Sequence, residues 1–330
     1  MRKIRIISKE VAVFALIMRE IDLINKILNN IQKVIIGKED EITNVLKAVI
    51  GGGHVLIEDV PGVGKTTLVK ALAKSLSLSY SRIQFTPDLS PSDIIGISIY
   101  DQKSMEFEFK KGPIFSNIVL ADEINRTSPK TQSALLEVME EYQVSEGNNT
   151  YEVETPFFVL ATQNPIEYEG TFPLPEAQLD RFMIMVRLGY PSKESEKEIL
   201  KLYKEKEPFQ YMDGAINKEE LLYLQKQVRK VKVNDKILDY MVAISEATRN
   251  SKYLSLGVST RAIMSLQRIG QASALIKGRD YVIPEDIREN VSLVLSHRII
   301  LSSKAMANGY NKENMISDIV KNIEVPKVTM

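Results

Sequence analysis

The chain has 330 residues, 44% of them hydrophobic, which is enough for a substantial core and about two domains. Its 43 basic and 43 acidic residues cancel, so no global field attracts nucleic acid or an anionic membrane. The absence of cysteine excludes disulfides and thiolate metal sites and favours a reducing, cytoplasmic compartment. We expect structural roles for the two isolated histidines, His54 and His297, rather than a metal site or a Ser–His triad.

The first 20 residues contain an apolar run, residues 11–18, that follows several basic side chains. The run is too short to span a bilayer, charged residues follow it at once, and no small-residue cleavage site is present. We therefore expect no stable membrane insertion. Residues 1–19 are predicted to form an N-terminal extension. It is either a helix packed on the body or a segment added by a start codon that precedes a native start at Met18.

Residues 20–50 show helical spacing of apolar side chains and predict two helices joined by residues 34–38. Three glycines, residues 51–53, end the second helix and lead into a short apolar run at residues 54–57. That run predicts a buried strand. Residues 68–73 predict the helix that follows it.

Between this strand and helix lies a glycine-rich turn closed by Gly64, Lys65 and Thr66, which is the arrangement of a phosphate-binding loop. Glycines let backbone N–H groups approach phosphate oxygens, and the helix start adds further donors. Lys65 can reach the β- and γ-phosphates of a nucleotide, and the Thr66 hydroxyl can hold Mg²⁺. The pattern usually begins with glycine, but Asp59 stands there; aspartate is tolerable if its backbone angles are ordinary. The predicted nucleotide-binding residues of the loop are Val60, Pro61, Gly62, Val63, Gly64, Lys65, Thr66 and Thr67.

Apolar residues just before such a loop can form a platform for adenine. Ile36 and Gly37 are the candidates for this contact. Ordinary helix capping and packing explain the same residues equally well.

Two further strands carry polar residues at their carboxyl ends. Residues 117–121 form an apolar run that ends in Asp122 and Glu123, and residues 157–162 form another that precedes Asn164. Ligands bind at the carboxyl ends of parallel strands, so we expect Asp122 to hold Mg²⁺ and Glu123 to polarise the attacking water. Asn164 can orient that water or sense the γ-phosphate, although an isolated Asn–Pro pair is more often just a turn.

The remaining patterns complete the predicted fold. Residues 82–85, 106–110 and 183–186 predict strands, residues 128–140 a helix, and residues 143–153 a hairpin. The order of elements predicts an α/β fold with a doubly wound parallel sheet over residues 20–190. A smaller all-α domain is predicted over residues 191–330, with helices at 194–206, 218–230, 235–250, 259–277 and 284–297 and a loose tail after residue 325.

Five ordered motifs go beyond a general phosphate-binding fold. They are residues 59–66 (DVPGVGKT), 120–126 (LADEINR), 158–165 (FVLATQNP), 174–182 (LPEAQLDRF) and 257–262 (GVSTRA). Together they strongly resemble the MoxR family of AAA+ ATPases over roughly residues 20–320. Aspartate is common at the first loop position in that family.

The resemblance implies roles that spacing alone does not. Asn164 matches the sensor 1 position, Arg181 the arginine finger that reaches a neighbouring subunit's γ-phosphate, and Arg261 the sensor 2 position on a lid helix folded over the nucleotide. Residues 86–101 match the helix-2 insert and residues 142–156 the pre-sensor 1 hairpin, both of which face the ring pore in related proteins. Alternatively, Arg181 could pair with Asp180 or Glu176, and Arg261 could cap its own helix.

The family resemblance also implies a function. Such proteins look like hexameric, chaperone-like ATPases that use ATP and Mg²⁺ to remodel or activate protein partners, often with von Willebrand factor A domains. Three alternatives remain: a nucleic-acid motor or loader, against which the neutral charge argues; a chelatase-type metal-insertion subunit; and a nucleotide-gated scaffold that does not hydrolyse ATP, against which Glu123, Asn164 and Arg181 argue. We expect no nucleic-acid partner.

Overall fold

The computed structural model describes residues 2–147, 149–165, 170–205 and 208–327. The chain forms two compact units. The α/β unit contains Asn30–Ile42 and Gly52–Lys218, and the helical unit contains Met1–Asn29, Thr43–Gly51 and Glu219–Met330. This grouping places residues 191–218 with the α/β unit and residues 20–29 and 43–51 with the helical unit. The predicted boundary after residue 190 stays a prediction.

The strands are β1 His54–Glu58, β2 Tyr80–Gln84, β3 Gly96–Asp101, β4 Glu106–Lys111, β5 Ile118–Asp122, β6 Gln143–Glu146, β7 Asn149–Glu152, β8 Phe158–Gln163, β9 Phe182–Val186, β10 Leu254–Leu256 and β11 Ile300–Leu301. The helices are α1 Arg2–Gln32, α2 Glu39–Gly51, α3 Lys65–Ser75, α4 Pro91–Ile95, α5 Pro129–Glu141, α6 Glu176–Leu179, α7 Lys193–Glu205, α8 Lys218–Lys230, α9 Asp235–Arg249, α10 Thr260–Ile276, α11 Pro284–Arg288, α12 Val291–Leu295, α13 Ser303–Ala307 and α14 Lys312–Lys321.

The α/β unit is built on a five-stranded sheet with the order β2-β5-β8-β1-β9, in which all neighbouring strands are parallel. Every residue of β5 is buried, as a strand covered on both faces requires. Leu56, Leu120 and Leu160 are fully buried on the three central strands. Because the strands are parallel, their carboxyl ends share one edge of the sheet. The predicted doubly wound parallel sheet is confirmed.

Two antiparallel hairpins project from this unit. The first pairs β3 with β4 and extends the predicted insert from residue 101 to Lys111. The second pairs β6 with β7, as predicted, although Asn148 in its turn lies outside the described residues.

The helical unit confirms most predicted helices but not the one over residues 284–297, which is divided into α11, α12 and a 3₁₀ turn at Ser296–Arg298. Asn290 lies at the break, and its side-chain amide donates to the backbone oxygen of Asp286 at 2.7 Å. A side chain that competes for a helical carbonyl in this way favours the end of a helix. The unit also contains a short antiparallel pair, β10 with β11, that the sequence did not predict.

Helix α1 begins at Arg2 and passes through the apolar run of residues 11–18 without a break. Among the helices that the structure describes, none combines the length and apolar character needed to cross a membrane. The assignment of residues 1–19 as a separate extension stays a prediction.

Candidate nucleotide-binding site

The phosphate-binding loop lies where the sequence predicts it, between the end of β1 and the start of α3. Gly62 and Gly64 have φ values of +86° and +89°, a left-handed conformation that other residues adopt only with strain. Their conformation turns the chain into α3, whose first N–H groups form a natural site for an anion. The Lys65 ammonium donates to the backbone oxygens of Asp59 at 2.8 Å and Val60 at 3.3 Å. These two hydrogen bonds therefore hold the Lys65 ammonium against the backbone at the start of the loop.

Asp59 replaces the first glycine of the loop pattern, and its backbone has no positive φ. The condition under which aspartate was expected to be tolerated is thus met. Its backbone N–H donates to the Gln163 oxygen at 3.1 Å, which joins the loop to the end of β8.

Asp122 and Glu123 lie at the carboxyl end of β5, next to β8 in the sheet. The Thr162 hydroxyl donates to Asp122 Oδ1 at 2.6 Å and accepts the Glu123 N–H at 2.9 Å. Glu123 adopts a left-handed backbone conformation, with φ +59° and ψ +48°, which is rare outside glycine and concentrates at functional sites. Thr162 therefore fixes both acidic residues, a role that was not predicted from the sequence.

Two side chains of the edge strand β2 also contact the acidic pair. Arg82 donates to Asp122 Oδ2 from Nε at 3.1 Å and from Nη2 at 2.6 Å. Gln84 accepts from Arg82 Nη2 at 2.6 Å and donates to Glu123 Oε2 at 2.7 Å. Residues 82 and 84 share one face of a strand, because side chains alternate with a period of two. That spacing, beside the strand ending in Asp122 and Glu123, is the signal that could have indicated these contacts.

Asn164 follows β8 and is buried at this same edge of the sheet. The structure therefore brings together four predicted groups at one edge: the phosphate-binding loop, Asp122, Glu123 and Asn164. Their catalytic roles stay predictions.

A cavity of about 370 Å³ adjoins the phosphate-binding loop within the α/β unit. Ile36 lies in its wall, together with Gly62, Gly64 and Thr67 of the loop. Gly37 follows Ile36 and lies so close to Ser195 that a Cβ atom at this glycine would meet the Ser195 Oγ at 2.0 Å. The opposite wall is formed by residues after β9 and on α7, which are Tyr190, Pro191, Glu196, Ile199, Leu200 and Tyr203. A mostly apolar cavity beside a phosphate site suits the base of a nucleotide.

The two arginines implied by the family resemblance lie elsewhere. Arg181 directly precedes β9, at the amino edge of the sheet, and pairs with Glu140 through Nε at 3.3 Å. Its predicted alternative partners, Asp180 and Glu176, are not the partners of this ion pair. Since β9 pairs with β1 in parallel, Arg181 is separated from the phosphate-binding loop by the length of a strand, about 15 Å. Arg261 is the second residue of α10 in the helical unit, and Ser259 caps that helix by accepting the Ala262 N–H at 3.0 Å.

The oxygen ligands at this edge fit Mg²⁺. Thr66 offers a hydroxyl and Asp122 a carboxylate, and Mg²⁺ in nucleotide sites takes one or two such protein oxygens together with phosphates and water. In this structure the Arg82 guanidinium lies on Asp122 Oδ2, so this carboxylate oxygen has a cationic group beside it.

His54 lies apart from this site, at the other edge of the sheet. His54 is buried at the start of β1, where Nε2 donates to the Met139 oxygen at 3.1 Å and Nδ1 accepts the Val159 N–H at 3.0 Å. Burial lowers the pKa of His54 to about 4, so the ring is neutral at physiological pH. The predicted structural role of this residue is confirmed.

Comparison with known proteins agrees with the geometry. Residues 54–184 match the ATPase family associated with various cellular activities (AAA), and residues 246–319 match the AAA lid domain. The chain is 50% identical over 304 residues to the uncharacterized protein YeaC of Bacillus subtilis, covering 92% of this chain and 95% of that protein. It is 40% identical over 318 residues to chaperone MoxR1 of Mycobacterium tuberculosis, covering 94% and 84%.

A solved structure shows the same similarity in three dimensions. The crystal structure of a "putative ATPase" from Cytophaga hutchinsonii matches with a TM-score of 0.89 and 41% identity, covering 98% of this chain and 99% of that one. The chain thus combines a phosphate-binding loop, an acidic strand end and a helical lid. It is also related to these proteins along nearly its whole length. The chain belongs to the MoxR family of AAA+ ATPases, and it is an ATP hydrolase with a nucleotide-binding α/β unit and a helical lid.

Proposed function

We propose that the edge of the sheet formed by β1, β5 and β8 is the catalytic centre and that this chain uses it to drive chaperone-like remodelling of a protein partner. The observation that carries the proposal is the position of Thr162, whose hydroxyl contacts both Asp122 and Glu123. One hydrogen bond is to the Asp122 carboxylate and the other is to the Glu123 backbone, so a single hydroxyl fixes both residues at the end of β5. We assign Asp122 to the metal and Glu123 to the water.

The proposed roles follow from the chemistry of each group. The Lys65 ammonium neutralises the β- and γ-phosphates once they displace the loop carbonyls that it contacts. Thr66 and Asp122 would hold Mg²⁺, which would supply positive charge to offset that of the phosphates. Glu123 accepts a hydrogen bond from the attacking water, and Asn164 orients that water at the γ-phosphate.

The strained backbone of Glu123 supports its role. A left-handed conformation costs about 1–2 kcal/mol in a residue with a side chain. The hydrogen bond from its N–H to the Thr162 hydroxyl helps to maintain that conformation. Strain that surrounding contacts enforce at a strand end is typical of a functional residue.

Arg181 supports an oligomer. It lies at the edge of the sheet opposite its own phosphate-binding loop, so it cannot stabilise the phosphates bound there. An arginine supplied by a neighbouring subunit is worth about 10³- to 10⁵-fold in rate in other phosphate-transfer enzymes. We therefore propose a homo-oligomer, in the form of a hexameric ring, in which Arg181 completes the site of the adjacent subunit.

The effect of ATP hydrolysis on the lid and on the protein partner is proposed from family membership. Arg261 would report phosphate loss to the lid, and the β3–β4 and β6–β7 hairpins would face the client in the pore. The name of the Mycobacterium tuberculosis relative supports a chaperone function. We further propose that the client contains a von Willebrand factor A domain and that this chain is cytoplasmic. Family membership favours a chaperone-like function over that of a nucleic-acid motor or a chelatase subunit.

The test is the ATPase rate per subunit, measured against protein concentration with Mg²⁺, for the wild type and Arg181→Ala. A shared site predicts a specific activity that rises with concentration and falls at least about 10³-fold in the variant. Arg229→Ala, which removes an exposed arginine of α8, is the matched control and should behave as the wild type. A rate that is independent of concentration and insensitive to Arg181→Ala would refute the shared site.

A further inference from the structure

The carboxylate of Asp59 joins two parts of the nucleotide site that the sequence separates by 130 positions. Oδ1 accepts the N–H of Val60, within the phosphate-binding loop, at 2.9 Å. Oδ2 accepts the N–H of Gly189, beyond the end of β9, at 2.7 Å. Asp59 is only 8% exposed, so these hydrogen bonds are sheltered from water. One side chain therefore fixes the loop and the segment of residues 188–190 to each other.

The same segment is held from its other side by Lys38. The Lys38 ammonium donates to the backbone oxygens of Leu188 and of Tyr190, the latter at 3.1 Å. Its side chain is only 13% exposed. The N–H of Gly189 and the carbonyls of the residues on either side of it are thus satisfied by two oppositely charged side chains. Charge-assisted hydrogen bonds of this kind are stronger than those between neutral groups.

The segment leads directly into one wall of the cavity beside the phosphate-binding loop. Tyr190 and Pro191 line that cavity, and so do Lys38 and Ile36. Tyr190 is 73% exposed, so the hydrogen bonds from Asp59 and Lys38 to residues 188–190, here called the backbone clamp, fix the backbone from which its ring extends. The distance between the phosphate site and this wall is therefore set by Asp59 and Lys38.

The charge of Asp59 is not explained by phosphate binding. A glycine at this position would shape the loop equally well, and a carboxylate close to a triphosphate repels it. Here the negative charge is directed at two backbone N–H groups, one of which belongs to Gly189, next to the cavity-lining residue Tyr190. The carboxylate serves the part of the site that receives the base.

We propose that Asp59, with Lys38 as its counterpart, is a positioning residue that sets the base-binding wall relative to the phosphate-binding loop. The proposal rests on the proposed nucleotide site and names how that site distinguishes a nucleotide from a bare triphosphate. With the clamp intact, a ligand that has both a base and phosphates contacts the base-binding wall and the phosphate-binding loop at the same time, so both contribute to its affinity. Without it, the phosphates still bind, but the base loses its preformed wall.

The experiment compares the dissociation constants of ATP and of inorganic tripolyphosphate, each with Mg²⁺, for the wild type, Asp59→Asn and Asp59→Gly. Asparagine keeps one acceptor and glycine keeps none, so ATP affinity should fall in that order, by about tenfold to a hundredfold for glycine. Tripolyphosphate affinity should stay the same or rise, because a negative charge is removed. An equal loss for both ligands would assign Asp59 to the folding of the loop and overturn the proposal, as would an unchanged ATP affinity.

Lys38→Met tests the clamp from the other side, without altering the phosphate-binding loop. It should weaken ATP binding and spare tripolyphosphate binding, as Asp59→Gly does. The matched control is Lys33→Met, because Lys33 donates to Asn30 at 3.0 Å and does not line the cavity. A Lys38→Met protein that binds ATP as the wild type does would contradict the proposal, even if Asp59→Gly failed to fold. Failure of the wild type itself to bind ATP would refute the nucleotide site instead.

Discussion

The guanidinium of Arg82 directs two of its N–H groups at a single carboxylate oxygen of Asp122. This oxygen belongs to the carboxylate proposed to hold Mg²⁺, and only 11% of the Asp122 side chain is exposed. Arg82, by contrast, is 47% exposed on the edge strand β2. A cation supplied by the protein thus lies where a metal cation is expected to bind, and the exposed partner can move away at low cost.

Replacement of Arg82 by glutamine should strengthen Mg²⁺ binding. The change removes the positive charge beside the Asp122 carboxylate. The buried anion then lacks a counter-charge, so its interaction with a metal ion becomes more favourable. We expect the Mg²⁺ concentration for half-maximal binding of a fluorescent ATP analogue to fall by about fivefold, the equivalent of ~1 kcal/mol for an ion pair with an exposed member. If more Mg²⁺ is needed instead, Arg82 orients Asp122 for the metal and does not compete with it.

Replacement of Glu123 by glutamine should separate nucleotide binding from turnover. The amide keeps the shape of the side chain and cannot accept the proton of water, so we expect hydrolysis to fall by about 10²- to 10⁴-fold with little change in ATP affinity. Single-turnover kinetics and a binding titration measure the two effects. Glu137→Gln, an exposed substitution on α5, is the matched control. Hydrolysis that survives Glu123→Gln would contradict the assigned role.

His54 should make the stability of the fold sensitive to pH. Its pKa falls from the ordinary value of 6.5 to about 4 in the folded protein because of burial. The unfolded chain therefore binds a proton between these values that the folded chain excludes, and stability is fully present above about pH 6.5 and lost as the pH falls toward 4. From pH 7 to pH 5.5 the loss should be about 1 kcal/mol.

A comparison of the wild type with His54→Gln isolates this contribution. Urea unfolding at pH 7 and pH 5.5 gives the change in free energy for each protein. The variant should be less stable at pH 7, because two buried hydrogen bonds are disturbed, but its stability should change less between the two pH values. An equal pH dependence in both proteins would mean that other groups cause it.

In the helical unit, Asp286 should contribute strongly to stability. The carboxylate is fully buried and accepts from Arg279 Nη1 at 2.7 Å, from Arg279 Nη2 at 2.6 Å and from the Ile283 N–H at 3.0 Å. This hydrogen bonding raises the pKa of Arg279 above its ordinary value. Asp286→Asn leaves the Arg279 guanidinium without its counter-charge and should lower the free energy of unfolding by about 3 kcal/mol.

The matched control for this ion pair is Asp280→Asn. Asp280 contacts Lys232 at 2.8 Å, with 41% and 76% of the two side chains exposed, so its loss should cost less than about 1 kcal/mol. Hydrogen exchange of the amides of α10 and α11 measures both effects. Similar costs for the two variants would show that burial does not govern the strength of these pairs.

The sequence predicts the sheet well because each central strand is a run of apolar residues, and burial on both faces leaves few other structures for such a run. The positions of Lys65, Asp122 and Asn164 follow from the same strands, since each residue comes at or just after a carboxyl end. These predictions depend on local pattern and on one general property of parallel sheets.

The predictions that failed or were missing depend on partners distant in sequence. Arg82 reaches Asp122 across 40 positions, and Thr162 reaches the same carboxylate across 40 positions in the other direction. Asn290, at the break between α11 and α12, has a distant partner as well as its local one, since Lys47 donates to its side-chain oxygen at 3.0 Å. Such contacts produce no periodic pattern of residues within a segment, so a local reading of the sequence does not predict them.

A mixture of two inactive variants should recover ATPase activity if Arg181 acts on a neighbouring subunit. Arg181→Ala keeps Glu123 but lacks the arginine for its neighbour, and Glu123→Gln keeps that arginine but lacks the acceptor for water. Where a Glu123→Gln subunit presents Arg181 to an Arg181→Ala subunit, the site is complete. In a random ring about one interface in four has this composition at equal mixing, so roughly a quarter of the wild-type rate is expected. A mixture as inactive as its components, although it forms mixed oligomers in a crosslinking assay, would show that Arg181 does not serve the adjacent site.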